Sequence, residues 1–327
     1  MNKENQPLVG IAVPVYNGGK YLRECLESIL NQSYTNWICY ITDNASTDDS
    51  NAIATEFAEK DERFKVFRNQ ETIIAYKNWN VSLGRFADVQ VKYVKFECAD
   101  DWMFPNCLED MVALHEKYDN LGVVYGYRMQ GTKIDCDGLD IYDGEVFEGK
   151  DIILKNLKQG TYIYGDLGSA LFRKETIASI APDLHFMNEN SIHCDIEMND
   201  DVVLRSKVGF VYKVLMYYRR HEGQILSFAE RYNTMLFEFE RRIYLMMQQF
   251  PDDKELPLLY KQWREEYALF LAKCKRKKQT DIIEWHEKYL ERPITREELS
   301  CAKRRAINNS VFSIKSACAH IVSLIFQ

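Results

Sequence analysis

The chain has 327 residues, a mass of 38.5 kDa and a formal net charge of −7 at pH 7, with a pI near 5.6. This acidic balance argues against a nucleic-acid-binding protein that works through a basic face. The composition is 46% hydrophobic and 28% charged, which is typical of a globular protein. The length is sufficient for a full hydrophobic core and predicts one large domain with an appendage.

Signals for cellular location favour the cytoplasm. The first six residues are polar and contain no apolar core, so they do not resemble a secretory signal. The nine cysteines include no CxxC pair, which favours free thiols in a reducing compartment. No run approaches the roughly 20 apolar residues that a membrane-spanning helix needs. We therefore expect a cytoplasmic protein.

Strand and helix patterns alternate through the first two thirds of the chain. β-Branched or aromatic runs indicate strands, and apolar residues spaced by three and four indicate helices. Strands are predicted over residues 8–13, 37–41, 64–67, 91–96, 121–127 and 209–214. Helices are predicted over residues 20–30, 53–58, 76–83, 107–118, 151–157 and 193–203, and after residue 227. This alternation predicts an α/β fold with a mostly parallel central sheet covered by helices.

Three polar turns directly follow predicted strands. They contain Tyr16 with Asn17, then Asp43, and finally the pair Asp100-Asp101. Ligands of such sheets bind beside the carboxyl ends of the strands, so we expect the turns to converge on one site. The first turn lacks GxGxxG and the chain lacks GxxxxGK[ST], so no glycine loop is available to hold phosphates. A nucleotide bound here would need a metal ion for its diphosphate.

The adjacent carboxylates Asp100 and Asp101 allow two interpretations. Neighbouring carboxylates repel each other, so a cleft position calls for a cation, and hard oxygen ligands suit Mg²⁺ or Mn²⁺. Alternatively, the pair lies in a solvated turn where Asp101 caps a helix that begins near Pro105. Their place at the same sheet edge as Tyr16 and Asp43 favours the metal site, with Asp100 as the main ligand.

Several motifs, taken in order, resemble the family 2 glycosyltransferases of the GT-A fold. The resemblance covers roughly residues 8–221, and it depends on the order and spacing of the motifs. The motifs are Pro14-Val15-Tyr16-Asn17, Asp43-Asn44-Ala45-Ser46-Thr47-Asp48, Asn78-Trp79-Asn80, Asp100-Asp101, Ser169 to Arg173, Asp195-Ile196-Glu197 and Tyr218-Arg219-Arg220-His221. The resemblance implies a GT-A catalytic domain over residues 1–222 and a helical region over 223–327. Residues 1–105 would bind the nucleotide sugar, and residues 106–222 the acceptor.

The resemblance also implies a nucleotide site. Its members would be Pro14, Tyr16, Asn17, Asp43, Asp100 and His221. Tyr16 would pack on a uracil face, and Asp43 would accept the uracil N3–H. The alternatives are an Asx turn at Asp43 and a purely structural turn role for Asn17. His221, with the two preceding arginines, would approach the diphosphate or the metal.

Asp100 matches the metal-binding aspartate of the family, so the resemblance implies that Asp100 and Asp101 hold Mn²⁺ or Mg²⁺. Asp101 is alternatively a helix cap. The aspartate that usually precedes this pair is replaced by Cys98, which is a poor ligand for hard cations. The ribose contacts that relatives make from that position are therefore not expected here.

Inverting glycosyl transfer needs a general base on the acceptor hydroxyl. Asp195 fits that position by the resemblance, and Glu197 and the Asp200-Asp201 pair are competitors. The alternative for all of them is an acidic helix N-terminus, where such residues are favourable. The sugar, acceptor and linkage would depend on the loops at residues 160–169 and 188–195.

Together these expectations predict a metal-dependent, inverting hexosyltransferase or N-acetylhexosaminyltransferase. It would move one sugar from a UDP-sugar to a glycan or lipid-linked glycan in bacterial surface polysaccharide or lipopolysaccharide assembly. No Gln-x-x-Arg-Trp motif and no flanking membrane helices occur, which argues against a processive synthase. The alternatives are a non-catalytic nucleotide-sugar-binding module and, less favoured, a nucleotidyltransferase.

The C-terminal segment is basic and then amphipathic, with Arg304-Arg305 before the apolar residues of 311–326. Such a segment could pack on the catalytic domain or on a partner in a homodimer. The alternative is peripheral contact with the inner face of an anionic membrane, where lipid-linked acceptors are found.

Overall fold

The computed structural model describes residues 6–135, 144–160, 165, 167–188, 193–221, 231–290 and 292–308. These residues form two compact units. Of the described residues, the first unit contains those up to 154 and those between 165 and 220, and the second contains those between 155 and 160 and those from 221 onward. The functional assignments of residues 1–105, 106–222 and 223–327 remain predictions.

The first unit is built around a ten-stranded sheet. The strands are β1 (Val9–Val15), β2 (Trp37–Asp43), β3 (Phe64–Arg68), β4 (Tyr93–Phe96), β5 (Trp102–Met103), β6 (Leu121–Gln130), β7 (Lys133–Asp135), β8 (Val146–Glu148), β9 (Ala170–Arg173) and β10 (Lys207–Tyr218). The helices are α1 (Gly19–Leu30), α2 (Ser50–Lys60), α3 (Ala75–Gly84), α4 (Cys107–Lys117), α5 (Gly149–Gln159), α6 (Lys174–Ile180) and α7 (Cys194–Leu204). A 3₁₀ turn, Leu167–Ser169, precedes β9. This arrangement confirms the predicted α/β fold.

The sheet has the strand order β3-β2-β1-β4-β9-β6-β10-β5, and β7 and β8 pair with β6 and β10. The four strands from β3 to β4 are parallel, and so are β6 and β10. The short strand β9 runs antiparallel between β4 and β6. The sequence did not predict β5, because two residues are too few to show an alternating pattern.

The centre of the sheet is β1, which pairs with β2 on one side and β4 on the other. Six of its seven residues are buried, as expected for a strand covered on both faces. One apolar stripe of α1 lies in the same core, formed by Leu22, Cys25, Leu26 and Ile29. Full burial of each large aliphatic side chain contributes about 1.5–3 kcal/mol. The core thus fixes the strand ends that carry the polar turns.

His115 on α4 is a buried imidazole in the first unit. Its ring stacks on Tyr93 with 4.5 Å between centroids, and its Nε2 lies 2.9 Å from the Leu171 carbonyl oxygen. A carbonyl can only accept, so Nε2 carries the hydrogen. Burial lowers the pKa of His115 to about 3, far below its ordinary value of 6.5. The folded chain therefore keeps this ring neutral.

We expect the free energy of unfolding to fall as the pH decreases from 6.5 towards 3, because the unfolded chain binds a proton that the folded His115 excludes. The slope from this residue is at most about 1.4 kcal/mol per pH unit. His115→Gln keeps a donor for Leu171 and should flatten the dependence, as measured by urea unfolding between about pH 7 and pH 4. The exposed His185→Gln is the control, and an equal slope in both variants would contradict this account.

The second unit is helical, as predicted. Its helices are α8 (Thr234–Gln249), α9 (Leu256–Arg276), α10 (Thr280–Tyr289) and α11 (Arg296–Asn308). Phe237, Tyr267 and Leu271 form part of a small core, and the buried Arg264 donates to Glu240 and Glu298 at 3.2 and 2.8 Å. Within the described ranges, no helix has the length and apolarity to cross a membrane. Residues 309–327, with most of the predicted amphipathic segment, lie outside those ranges.

Candidate functional site

The structure places the three polar turns side by side at one edge of the sheet. β1, β2 and β4 are adjacent parallel strands, with Val15 opposite Asp43 and Ala12 opposite Phe96. Their carboxyl ends therefore lead into the Tyr16 turn, Asp43 and the Cys98–Asp101 loop at the same edge. This is the location at which ligands of open α/β sheets bind.

The turn after β1 presents one aromatic ring to solvent. Tyr16 is 54% exposed, whereas Pro14 lies within β1 opposite Thr42. Asn17 adopts a left-handed conformation with φ of 48°, and its Oδ1 accepts a hydrogen bond from the Thr47 amide at 2.9 Å. These contacts agree with the structural turn role, and the role of Asn17 in nucleotide binding stays a prediction. Tyr16 is the residue of this turn with the surface needed for stacking on a base.

The start of α1 is capped by side chains from the turn after β2. The Gly18 amide donates to the Ser50 hydroxyl and the Gly19 amide donates to Asp48, both at 2.9 Å. Helix N-terminal amides often bind phosphates. Here a phosphate would have to displace these two side chains, which agrees with the absence of a glycine loop in the sequence.

Asp43 is completely buried beneath Arg68. Its Oδ2 lies 2.7 Å from Arg68 Nη1, and its Oδ1 accepts the Ser46 amide at 3.0 Å. The second contact is the Asx-type turn considered as an alternative for this residue. Arg68 ends β3 and is 44% exposed, so it presents the guanidinium at the site edge. Arg68 was not among the predicted site residues, although its position at a strand end was the available signal.

Three amide side chains fix the segment that follows β3. Asn44 Oδ1 accepts hydrogen bonds from the Ile73 amide and from Asn69 Nδ2, at 3.0 and 2.9 Å. Asn44 Nδ2 donates to the Ile73 carbonyl at 2.7 Å, and Asn69 Nδ2 also donates to Asn78 Oδ1 at 2.8 Å. These bonds hold the chain between β3 and α3 against the end of β2. Asn78 therefore acts in the scaffold of the turn.

The loop after β4 brings together three side chains that could hold a cation. The Cys98 sulfur and one carboxylate oxygen each of Asp100 and Asp101 lie within 4.8 Å of one another. Two carboxylates are hard ligands that fit Mg²⁺ or Mn²⁺, and both ions commonly share substrate phosphates. The cysteine sulfur is a softer donor that fits these ions less well. The donor set therefore suits a divalent cation held mainly by the two aspartates.

The expectation that Asp101 caps the following helix is wrong. Asp101 is only 6% exposed, and its Oδ1 accepts the backbone amide of Arg219 at 2.8 Å. The helix α4 instead begins at Cys107 after Asn106. The physical reason is that the chain after Asp101 forms β5 and pairs with β10 before it reaches the helix.

A buried ion pair lies directly before this loop. Lys95 Nζ is 3.3 Å from Glu97 Oε2, and both side chains are completely buried. Lys95 also donates to the Phe96 carbonyl at 3.0 Å and to the Gly168 carbonyl of the 3₁₀ turn. The pair therefore connects β4 to the turn that precedes β9. No role was predicted from the sequence for either residue.

Asp195 lies in the first turn of α7, as predicted, and is partly buried. Glu197 shares that turn and accepts a hydrogen bond from Asn188 at 3.3 Å. Farther along the helix, burial raises the pKa of Asp201 above its usual value. The placement of Asp195 suits both a base and a favourable acidic helix start, so its catalytic role stays a prediction.

His221 follows the end of β10 and belongs to the second unit. Its role in nucleotide binding likewise stays a prediction. The loops expected to select sugar and acceptor include residues 161–164, 166 and 189–192, which lie outside the described residues.

Comparison with known sequences identifies the family of this architecture. Residues 10–179 match the profile described as "Glycosyl transferase family 2". The glycosyltransferase GlyG of Streptococcus pneumoniae serotype 4 is 28% identical over 225 residues, which are 67% of this chain and 73% of GlyG.

Two solved structures share the fold. TarS 1–349 of S. aureus in complex with UDP-GlcNAc aligns with a TM-score of 0.58 and 16% identity, over 89% of this chain and 95% of that chain. The mannosyltransferase PcManGT of Pyrobaculum calidifontis, in complex with GDP-Man and Mn²⁺, aligns with a TM-score of 0.53 and 13% identity, over 94% of this chain and 89% of that chain. The structure of S. aureus TarS 1–349 that names no ligand aligns with this chain over 65% of the TarS residues. The predicted GT-A fold is thereby confirmed.

Proposed function

Because the chain belongs to glycosyl transferase family 2 and is a glycosyltransferase, we propose that it is a metal-dependent inverting enzyme. It would move one sugar from a UDP-sugar to a glycan or lipid-linked glycan in bacterial surface polysaccharide or lipopolysaccharide assembly. One observation carries this proposal. Tyr16, the Asp43–Arg68 pair and the Cys98–Asp101 loop occupy the ends of adjacent parallel strands.

The base would bind between the Tyr16 ring and the Arg68 guanidinium. The ring supplies an exposed face for stacking, and the guanidinium supplies donors for the uracil carbonyl oxygens. Asp43 would orient Arg68, and it would accept the uracil N3–H itself if Arg68 moves aside. The complex of TarS with UDP-GlcNAc supports a UDP-sugar donor, and the complex of PcManGT with GDP-Man makes GDP-sugars the competitors.

Asp100 and Asp101 would hold Mn²⁺ or Mg²⁺ together with the donor diphosphate. When bound, the cation would neutralise charge on the departing diphosphate, in place of a general acid. PcManGT contains Mn²⁺, which supports this choice of metal. The carboxylates would orient the diphosphate, and Pro14 and Asn17 would complete the nucleotide site of the first unit.

Asp195 would act on the acceptor. It would take the proton of the acceptor hydroxyl as that oxygen bonds to the sugar C1, while the bond between C1 and the diphosphate oxygen breaks. UDP leaves with both bonding electrons, and the single displacement inverts the configuration at C1. The region of residues 223–327 would contact a second copy of the chain or a membrane surface that carries lipid-linked acceptors.

A non-catalytic nucleotide-sugar-binding module is the second candidate, because Cys98 replaces a carboxylate beside the cation ligands. A panel of UDP- and GDP-sugars, tested as donors, distinguishes the enzyme from the binding module. Release of UDP from one UDP-sugar in the presence of Mn²⁺ and a glycan acceptor supports the enzyme. Tight UDP binding with no turnover of any UDP- or GDP-sugar supports the binding module.

Saturating UDP with Mn²⁺ is expected to raise the melting temperature. Asp100→Ala should abolish the part of this increase that depends on Mn²⁺. Ligand at about 100 times its Kd stabilises by roughly 2.7 kcal/mol, which is several degrees for a protein of this size. Differential scanning fluorimetry with UDP, GDP, Mn²⁺ and EDTA measures the shift. The exposed Asp119→Ala is the matched control, and an equal shift in Asp100→Ala would contradict the metal site.

A further inference from the structure

We propose that Arg219, which directly follows the carboxyl end of β10, is a positioning residue that holds the cation site in shape. This inference rests on the proposed function. The backbone amide and the guanidinium of Arg219 each hold one of the two candidate metal ligands.

Strand pairing brings Arg219 to the loop. β5, which directly follows Asp101, pairs antiparallel with the end of β10, so that Trp102 lies opposite Tyr217. Their rings stack with 4.9 Å between centroids and 13° between planes. Arg219 lies two residues beyond Tyr217, which places it against Asp100 and Asp101.

Two hydrogen bonds from Arg219 reach the candidate ligands. Its backbone amide donates to Asp101 Oδ1 at 2.8 Å, and its Nε donates to the Asp100 carbonyl at 2.9 Å. The first bond fixes one carboxylate oxygen. The second fixes the peptide group between the two aspartates, and so the direction in which the Asp100 side chain leaves the backbone.

The other end of the guanidinium is held by α1. Nη2 forms an ion pair with Glu24, and the guanidinium carbon lies 4.7 Å from the centroid of the Tyr21 ring. The side chain is only 23% exposed. The Tyr16 turn leads directly into α1. Arg219 therefore connects the helix that follows this turn to the Cys98–Asp101 loop through one rigid guanidinium.

Lysine cannot reproduce this arrangement. A guanidinium donates along several fixed directions at once, whereas an ammonium is a single point charge on a flexible stem. Arg219→Lys keeps the charge and the backbone bond to Asp101, but it loses the simultaneous contacts to the Asp100 carbonyl and Glu24. The variant therefore tests the orientation of the loop separately from the local positive charge.

Arg219→Lys is expected to raise the Kd for Mn²⁺, measured with saturating UDP, by roughly 10–100-fold, the usual cost of removing a group that orients metal ligands. Electron paramagnetic resonance of free Mn²⁺ during a titration gives this Kd without any turnover. The UDP affinity in EDTA should stay within about twofold, because Tyr16 and Arg68 are untouched. Arg23→Lys is the matched control, since Arg23 of α1 forms an exposed bidentate pair with Glu56 of α2.

Equal Mn²⁺ affinity in wild type and Arg219→Lys would overturn the role of Arg219 and leave the proposed function intact. Absence of Mn²⁺ binding by the wild-type protein with UDP would overturn both. If Arg219→Lys does not fold, Glu24→Gln provides the test, because it removes only the carboxylate that orients the guanidinium. Weaker Mn²⁺ binding by that variant supports the proposal, and unchanged binding overturns it.

Discussion

Asp195→Asn is expected to lower kcat by roughly 10²–10⁴-fold, the range found when a general base is removed. Asparagine has nearly the same shape as aspartate but cannot take the acceptor proton. The KM for the donor should change little, because none of the candidate nucleotide residues is on α7. Initial rates of UDP release at varied donor concentration measure both constants.

Glu197→Gln is the matched comparison for this prediction. Glu197 shares the first turn of α7 with Asp195 and carries the same charge, so the two variants change the helix start equally. A large decrease of kcat in Glu197→Gln, with near-normal kcat in Asp195→Asn, would identify Glu197 as the general base. Equal, small decreases of kcat in both variants would support the view that these residues only stabilise the helix N-terminus.

Lys95→Met is expected to lower the free energy of unfolding by about 3–5 kcal/mol, the cost of removing one member of a buried ion pair. The change removes the ammonium that lies 3.3 Å from Glu97 Oε2 and donates to the Phe96 and Gly168 carbonyls. Methionine has a similar length, so loss of packing contributes little. Urea unfolding measures the difference from wild type.

Lys117→Met is the control, because Lys117 pairs with Glu145 on the surface, where an ion pair contributes at most about 1 kcal/mol. A double variant, Lys95→Met with Glu97→Leu, should recover much of the loss, since apolar residues often replace a buried pair at no net cost. A loss of less than about 1 kcal/mol in Lys95→Met would show that the pair does not restrain the strand before the cation loop.

Local pattern was sufficient for most elements of the first unit. The predicted helix at residues 107–118 corresponds to α4 at Cys107–Lys117, and the predicted strand at 64–67 corresponds to β3 at Phe64–Arg68. Each carries an apolar face of the right period over several residues, so the signal is contained in neighbouring positions. The short β5 has no such signal, so the alternative that Asp101 caps the next helix did not take this strand into account.

The sequence by itself determined the alternating α/β order, the glycosyltransferase family and the set of polar turns at strand ends. The tertiary structure alone decided what surrounds those turns. It covers Asp43 with Arg68, joins Asp101 to Arg219 across 118 residues, and buries Lys95 against the Gly168 carbonyl. These contacts depend on the strand order and on the register of β5 with β10, which are set when the whole core packs and which no local pattern encodes.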